Sequence, residues 1–186
     1  MPPQSAELTH ARVPSPRWLA IAADFVANQA AWWWCVLAAR AGSPTGLLGP
    51  VAYLVGQLVF RPNRRRAILG LAAAGALTGL AGDFALVRAH LLAFPPTFAE
   101  VAPFMLCLWA MFAVSLTASA AFLAQAPAWG AALFGAVAGP LAYSAGERLS
   151  VLTVREAGVA AVALEWMIAV PWLAYCARRA EREAST

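Results

Sequence analysis

Six apolar runs separated by short loops constrain this chain more than any other feature: Trp18–Ala39, Gly46–Phe60, Ala67–Val87, Val101–Ala124, Trp129–Ala145 and Gly158–Ala177. A helix that crosses the ~30 Å hydrocarbon layer needs about 20 apolar residues, so the pattern predicts an all-α membrane protein. The expected architecture is a compact bundle of about six transmembrane helices with no soluble domain, because no loop is long enough to hold one. The second run reaches only ~22 Å as a helix. It either borrows Ser43–Thr45, tilts little or is re-entrant. Composition agrees, with 62% apolar and 12% charged residues, where a soluble domain carries about 25% charge. That balance excludes an ordinary soluble globule, a disordered chain and a disulfide-stapled secreted module.

The expected organisation is a disordered cytoplasmic tail over 1–17, a helix bundle over 18–177 and a short basic cytoplasmic tail over 178–186. Pro2, Pro3, Pro14 and Pro16 mark the first tail. One domain is expected, with no internal repeat. Ala39-Arg40-Ala41 has the form of a signal cleavage site, but the apolar run before it is too long and carries Asp24, Asn28 and Gln29. Arginine placement sets the orientation. With the N-terminus in the cytoplasm, inside segments hold Arg12, Arg17, Arg61, Arg64, Arg65, Arg66, Arg178, Arg179 and Arg182, against Arg40, Arg88, Arg148 and Arg155 outside. The excess predicts a multi-pass protein of the bacterial cytoplasmic (inner) membrane with both termini in the cytoplasm. It also accounts for the net charge of +4, which therefore carries no nucleic-acid signal.

Absences narrow the chemistry. All thirteen basic residues are arginine, which excludes a Walker A loop, a pyridoxal Schiff base and a retinal-binding lysine. His10 and His90 lie far apart, Cys35, Cys107 and Cys176 fall in separate apolar runs, and no zinc or haem spacing occurs. No cofactor or metal is expected, and the cysteines read as small buried hydrophobes.

An ionisable residue inside a span is costly, which makes Asp24, Asp83 and Glu165 informative. Asp24 lies roughly 9 Å into the first span and is expected to reach interfacial water. Gly75, Gly79 and Asp83 recur every four residues, so the glycines admit a neighbouring helix and Asp83 points into the bundle. Glu165 lies roughly 11–12 Å below the outer surface. Gly135, Gly139, Tyr143 and Glu147 form a second stripe, which Pro140 is expected to kink. Asp83, Glu165 and Tyr143 are therefore the candidate catalytic residues, with His90, Glu147 and Arg148 as candidate binding residues. Such an outer-side cluster would bind a head group, move a proton or perform acid/base work; it would equally serve as a salt-bridge network that fixes packing. The Trp32-Trp33-Trp34 run and Trp18 read as interfacial anchors. Ser115, Thr117 and Ser119 are given no role beyond bonding their own backbone.

Several segments carry a family resemblance. Asp24-Phe25-Val26, then Gln29, Trp32, Cys35 and Val36, are followed by Gly49-Pro50, Gly82-Asp83 and Leu108-Trp109-Ala110-Met111-Phe112-Ala113. The most specific piece is Gly139-Pro140-Leu141-Ala142-Tyr143-Ser144-Ala145-Gly146. In order and spacing these resemble the bacterial membrane-protein family catalogued as domain of unknown function 2878, over roughly 24–177. The resemblance implies a place near enzymes similar to cyclopropane fatty-acyl synthases, and so a role in membrane-lipid modification. Membrane lipids, and a lipid-modifying enzyme, are the partners it implies. The leading expectation is an accessory protein or embedded enzyme acting on lipid; a small-solute or proton-coupled transporter and a structural assembly partner stand as alternatives.

Overall fold

The computed structural model describes residues 17–95 and 101–184. The expected tail over 1–16, with His10 and Arg12, lies outside the described residues. The described chain is all-α, with seven helices and one two-residue strand pair: α1 (Arg17–Arg40), α2 (Leu48–Phe60), α3 (Arg65–Arg88), β1 (Leu92–Ala93), α4 (Pro103–Ser115), α5 (Ala121–Gln125), α6 (Ala128–Arg148), β2 (Thr153–Val154) and α7 (Glu156–Glu183). Two segments, Pro62–Arg88 and Glu156–Glu183, are long and apolar enough to cross a membrane. Helix α7 continues through Arg178, Arg179 and Arg182, so these residues form its last turns rather than a separate tail.

Helix α1 ends where Gly42 takes a left-handed conformation (φ +65°), which lets Ser43 N–H reach back to the Ala38 carbonyl at 2.9 Å. A 3₁₀ turn over Pro44–Leu47 leads directly into α2. Together the turn and helix extend ~27 Å, longer than the second apolar run alone. Pro140 and Pro171 lie inside α6 and α7 without ending either helix.

Two expectations are corrected. The fourth run, Val101–Ala124, is not one helix. It breaks after Ser115 into α4, a turn and the five-residue α5. Ser115 and Thr117 bond the carbonyls of Phe112 and Val114, which competes with helix continuation. The freed groups are then taken by distant side chains: Asp24 accepts from Ser119 N–H at 3.0 Å, and Arg61 donates to the Thr117 carbonyl at 3.0 Å.

The second correction is that the chain contains a repeat. Helices α3–α4 form one hairpin and α6–α7 another, each pair packing closely. Gly75, Gly79, Asp83, Arg88 and His90 correspond to Gly135, Gly139, Tyr143, Arg148 and Ser150, each sixty residues on. A Cβ on Gly75 would overlap the Trp109 carbonyl, and one on Gly135 the Trp166 carbonyl. A Cβ on Gly79 would overlap the Trp109 ring, and one on Gly139 the Trp166 ring. Both α3 and α6 end in the same reversal, with His90 and Ser150 at φ +59° and +60° and the Leu91 and Val151 N–H groups bonding back to Leu86 and Gly146. Strands β1 and β2 then pair antiparallel with Ala93 opposite Thr153, two equivalent residues. The local two-fold therefore passes through that pair. The likeness stays local, since α3 packs against α7 whereas α6 does not pack correspondingly against α4; the Trp109 and Trp166 rings meet with centroids 4.7 Å apart.

Candidate functional site

Glycine spacing builds the site. Because Gly75, Gly79 and Gly82 have no side chains, α3 lies directly against Trp109 of α4 and Glu165 of α7. Asp83, one position beyond Gly82, is then sealed from the surface at 0% exposure. Its two oxygens are engaged separately: the Tyr143 hydroxyl donates to Oδ1, and the Trp109 indole N–H donates to Oδ2 at 3.1 Å. A buried carboxylate held by two donors from two other helices is a fully specified position. Tyr143 is itself 3% exposed, and its ring meets Trp166 edge-on at 6.4 Å.

Glu165 differs. Its carboxyl lies against Gly82, and neither oxygen has a hydrogen-bond partner among the described residues. Buried polar groups are ordinarily paired, so the Glu165 carboxyl is the exception in its surroundings. The Asp83–Tyr143–Trp109 group and Glu165 thus form one buried cluster assembled from α3, α4, α6 and α7.

His90, Glu147 and Arg148 do not join it. All three are exposed at the helix ends. His90 turns the chain at the end of α3, and Glu147 accepts from Val154 N–H at 3.0 Å, pinning β2. The partners of Asp83 are a phenol and an indole rather than Arg88 or Arg148. Among the described residues, no three His, Cys, Asp or Glu side chains converge as a metal site.

Beside the cluster lies an apolar pocket of about 240 Å³ between α1, α4 and α6. Tyr143, Trp109 and Trp166 form its inner wall; Phe104, Leu108 and Phe134 line its sides. Asn28, one turn beyond Asp24 on α1, also faces it. Trp109 was legible in the sequence only as part of a family segment. Its role as second donor to Asp83 depends on the approach of α4 to the glycine stripe.

Asp24 is half-buried and also ties helices together. It accepts from Tyr53 at 3.2 Å, from Gln57 at 2.5 Å and from Ser119 N–H at 3.0 Å, tying α1 and α2 to the break between α4 and α5. Residues 21–172 match the family described as Protein of unknown function (DUF2878). The chain belongs to this family. No curated protein and no solved structure matches it. The DUF2878 segment begins within α1 and ends within α7, so it takes in Asp24, both hairpins and the whole buried cluster. Arg17, Arg178 and Arg182 lie outside the matched segment.

Proposed function

We propose that the chain is a multi-pass protein of the bacterial cytoplasmic membrane that acts on membrane lipids through the Asp83–Tyr143–Glu165 cluster. It crosses six times, with α4, the break and α5 as one crossing, and both termini face the cytoplasm. It works either as an embedded enzyme or as the accessory of a separate lipid-modifying enzyme. The membrane setting is supported by reversed polarity. Leu69, Leu77 and Leu80 of α3, Leu133, Val137 and Leu141 of α6, and Leu164, Ile168 and Trp172 of α7 are exposed, while Asp83 is buried. A water-soluble helix shows the opposite arrangement.

One observation carries the lipid reading: Tyr143 is part of the wall of an apolar pocket while its hydroxyl is bonded to buried Asp83. Such a pocket suits part of an acyl chain, and a lipid-borne group reaching its inner wall meets the phenol. Tyr143 is therefore the residue that touches substrate and gives or takes the proton. Asp83 is a positioning residue that acts through it. The test is lipid mass spectrometry of membranes with and without the protein, repeated for Asp83→Asn, Tyr143→Phe and Glu165→Gln. A lipid change that needs the wild type and is lost in all three, at unchanged protein levels, is the expected result. Full activity in all three, or no wild-type-dependent change, overturns the proposal.

A transport reading is favoured by one feature. Asn28 lines the apolar pocket one turn from Asp24, so polar residues of α1 run from one cavity toward the other. Solute or proton flux through reconstituted vesicles, abolished by Asn28→Leu, would distinguish it.

A further inference from the structure

A second cavity, of about 1640 Å³, is lined by α1, α2, the link between α4 and α5, and the last turns of α7, and has two unlike ends. At one end stand five guanidinium groups, of Arg17, Arg61, Arg64, Arg178 and Arg182. Among the described residues only two carboxylates line the same cavity, and both are engaged. Asp24 holds Tyr53, Gln57 and Ser119 N–H, and Glu181 pairs with Arg64 and lies 3.9 Å from Arg61. Arg61 and Arg178 are anchored to the break itself, through the Thr117 carbonyl and the Ala124 carbonyl. Arg17 and Arg182 make no hydrogen bond or ion pair within the described residues. Burial chiefly, and then the neighbouring Arg64, push the Arg61 guanidinium below its ordinary pKa.

The other end is apolar, lined by Ala27, Ala30, Trp34 and Gly49. From Arg17 to Trp34 along α1 is roughly 25 Å at 1.5 Å per residue, the length of an extended acyl chain with its head group. The wall between the ends includes Leu116, Thr117, Ala118 and Ser119, the non-helical link between α4 and α5. Irregular backbone at membrane depth survives only where protein covers it or where it borders a cavity. A basic mouth, an apolar shaft and an interrupted helix between them describe a receptacle for an amphiphile with an anionic head.

We propose that this cavity binds an anionic phospholipid drawn from the cytoplasmic leaflet, its phosphate among Arg17, Arg61 and Arg182 and one acyl chain along α1 toward Trp34. Guanidinium groups suit the phosphate because they bond it through paired N–H groups, and the surplus of cations over carboxylates selects a net negative head. The inference rests on the membrane setting proposed above but not on the Asp83 cluster. An unchanged lipid profile in that earlier test leaves this binding standing, and loss of this binding leaves that chemistry standing.

The test uses the full chain in neutral detergent, titrated with phosphatidylglycerol, with phosphatidylcholine of the same acyl chains, and with inorganic phosphate, reading melting temperature and retained lipid by native mass spectrometry. Phosphatidylglycerol should raise the melting temperature and co-purify, phosphatidylcholine should do so less, and inorganic phosphate should not. The double variant Arg17→Gln/Arg182→Gln removes charges on which no internal contact depends, and should weaken phosphatidylglycerol binding about tenfold. Ala30→Phe, which narrows the apolar end without touching a charge, should weaken it similarly. Equal stabilisation by the two lipids overturns the proposal, as does an equal effect of inorganic phosphate. Wild-type affinity in both variants overturns it as well, since the lipid would then be bound elsewhere.

Discussion

Asp83 holds two hydrogen-bond donors in a place that water does not reach, which sets the cost of altering any member of the group. Asp83→Ala orphans the Tyr143 hydroxyl and the Trp109 indole together, and should lower stability by about 2–6 kcal/mol, at ~1–3 for each buried group left unpaired. Tyr143→Phe leaves Asp83 with one donor and should cost about 1–3 kcal/mol. Denaturant titration in detergent micelles measures both. Glycines separate in the same way by what surrounds them. Gly135→Ala drives a methyl into the Trp166 backbone carbonyl and should cost about 1–3 kcal/mol or more. Gly70 has nothing within 4 Å of its would-be side chain, so Gly70→Ala should instead stabilise by about 0.4–1 kcal/mol. Gly139→Leu should be worse tolerated than Cys107→Ser, because Gly139 meets the Trp166 ring while a serine adds no bulk at Cys107. Equal melting temperatures for these variants would contradict the close helix contacts.

At the scale of elements, the interrupted fourth run is the least self-sufficient part of the fold. Its turn keeps short backbone bonds, such as that from Thr117 N–H to the Val114 carbonyl, but Ser119 N–H and the Thr117 carbonyl are taken by side chains from α1 and from the link after α2. Asp24→Ala should therefore speed amide hydrogen exchange across 116–120 while leaving α3 and α6 protected. Uniform protection in that variant would show that the turn holds itself. The reason this break was illegible lies in the same contacts. Alanine, leucine and phenylalanine run through it without interruption, and Asp24 and Arg61 act from far along the chain. By contrast, α3 was legible nearly to its ends, since arginines bracket its apolar run, while α7 was legible at its start and runs six residues past the apolar run into its arginines and glutamates. The Asp83–Tyr143 meeting was half legible. Glycine steps placed each residue on an inward face, but the four-residue spacing says nothing about which inward faces meet. The repeat is faint in the sequence because its identities, chiefly Gly75/Gly135, Gly79/Gly139 and Arg88/Arg148, are scattered among alanines and leucines that match everywhere.

For the whole molecule, the proposed topology makes a direct prediction. Alkaline phosphatase, active only outside the cytoplasm, should be inactive when fused after Ala180; strong activity there would reverse the termini. The repeat also has a consequence for what the bundle can contain. Two identical hairpins, meeting as a homodimer, present the same residue from both sides of their axis. Paired aspartates there would place like charges together, and paired tyrosines would have no carboxylate to receive them. Two halves within one chain are under no such restriction and can differ wherever they meet. Here an acid faces a phenol, and Glu165 stands where the first half carries Leu108. A pairing that symmetry denies to two like subunits is open to two unlike halves of one chain.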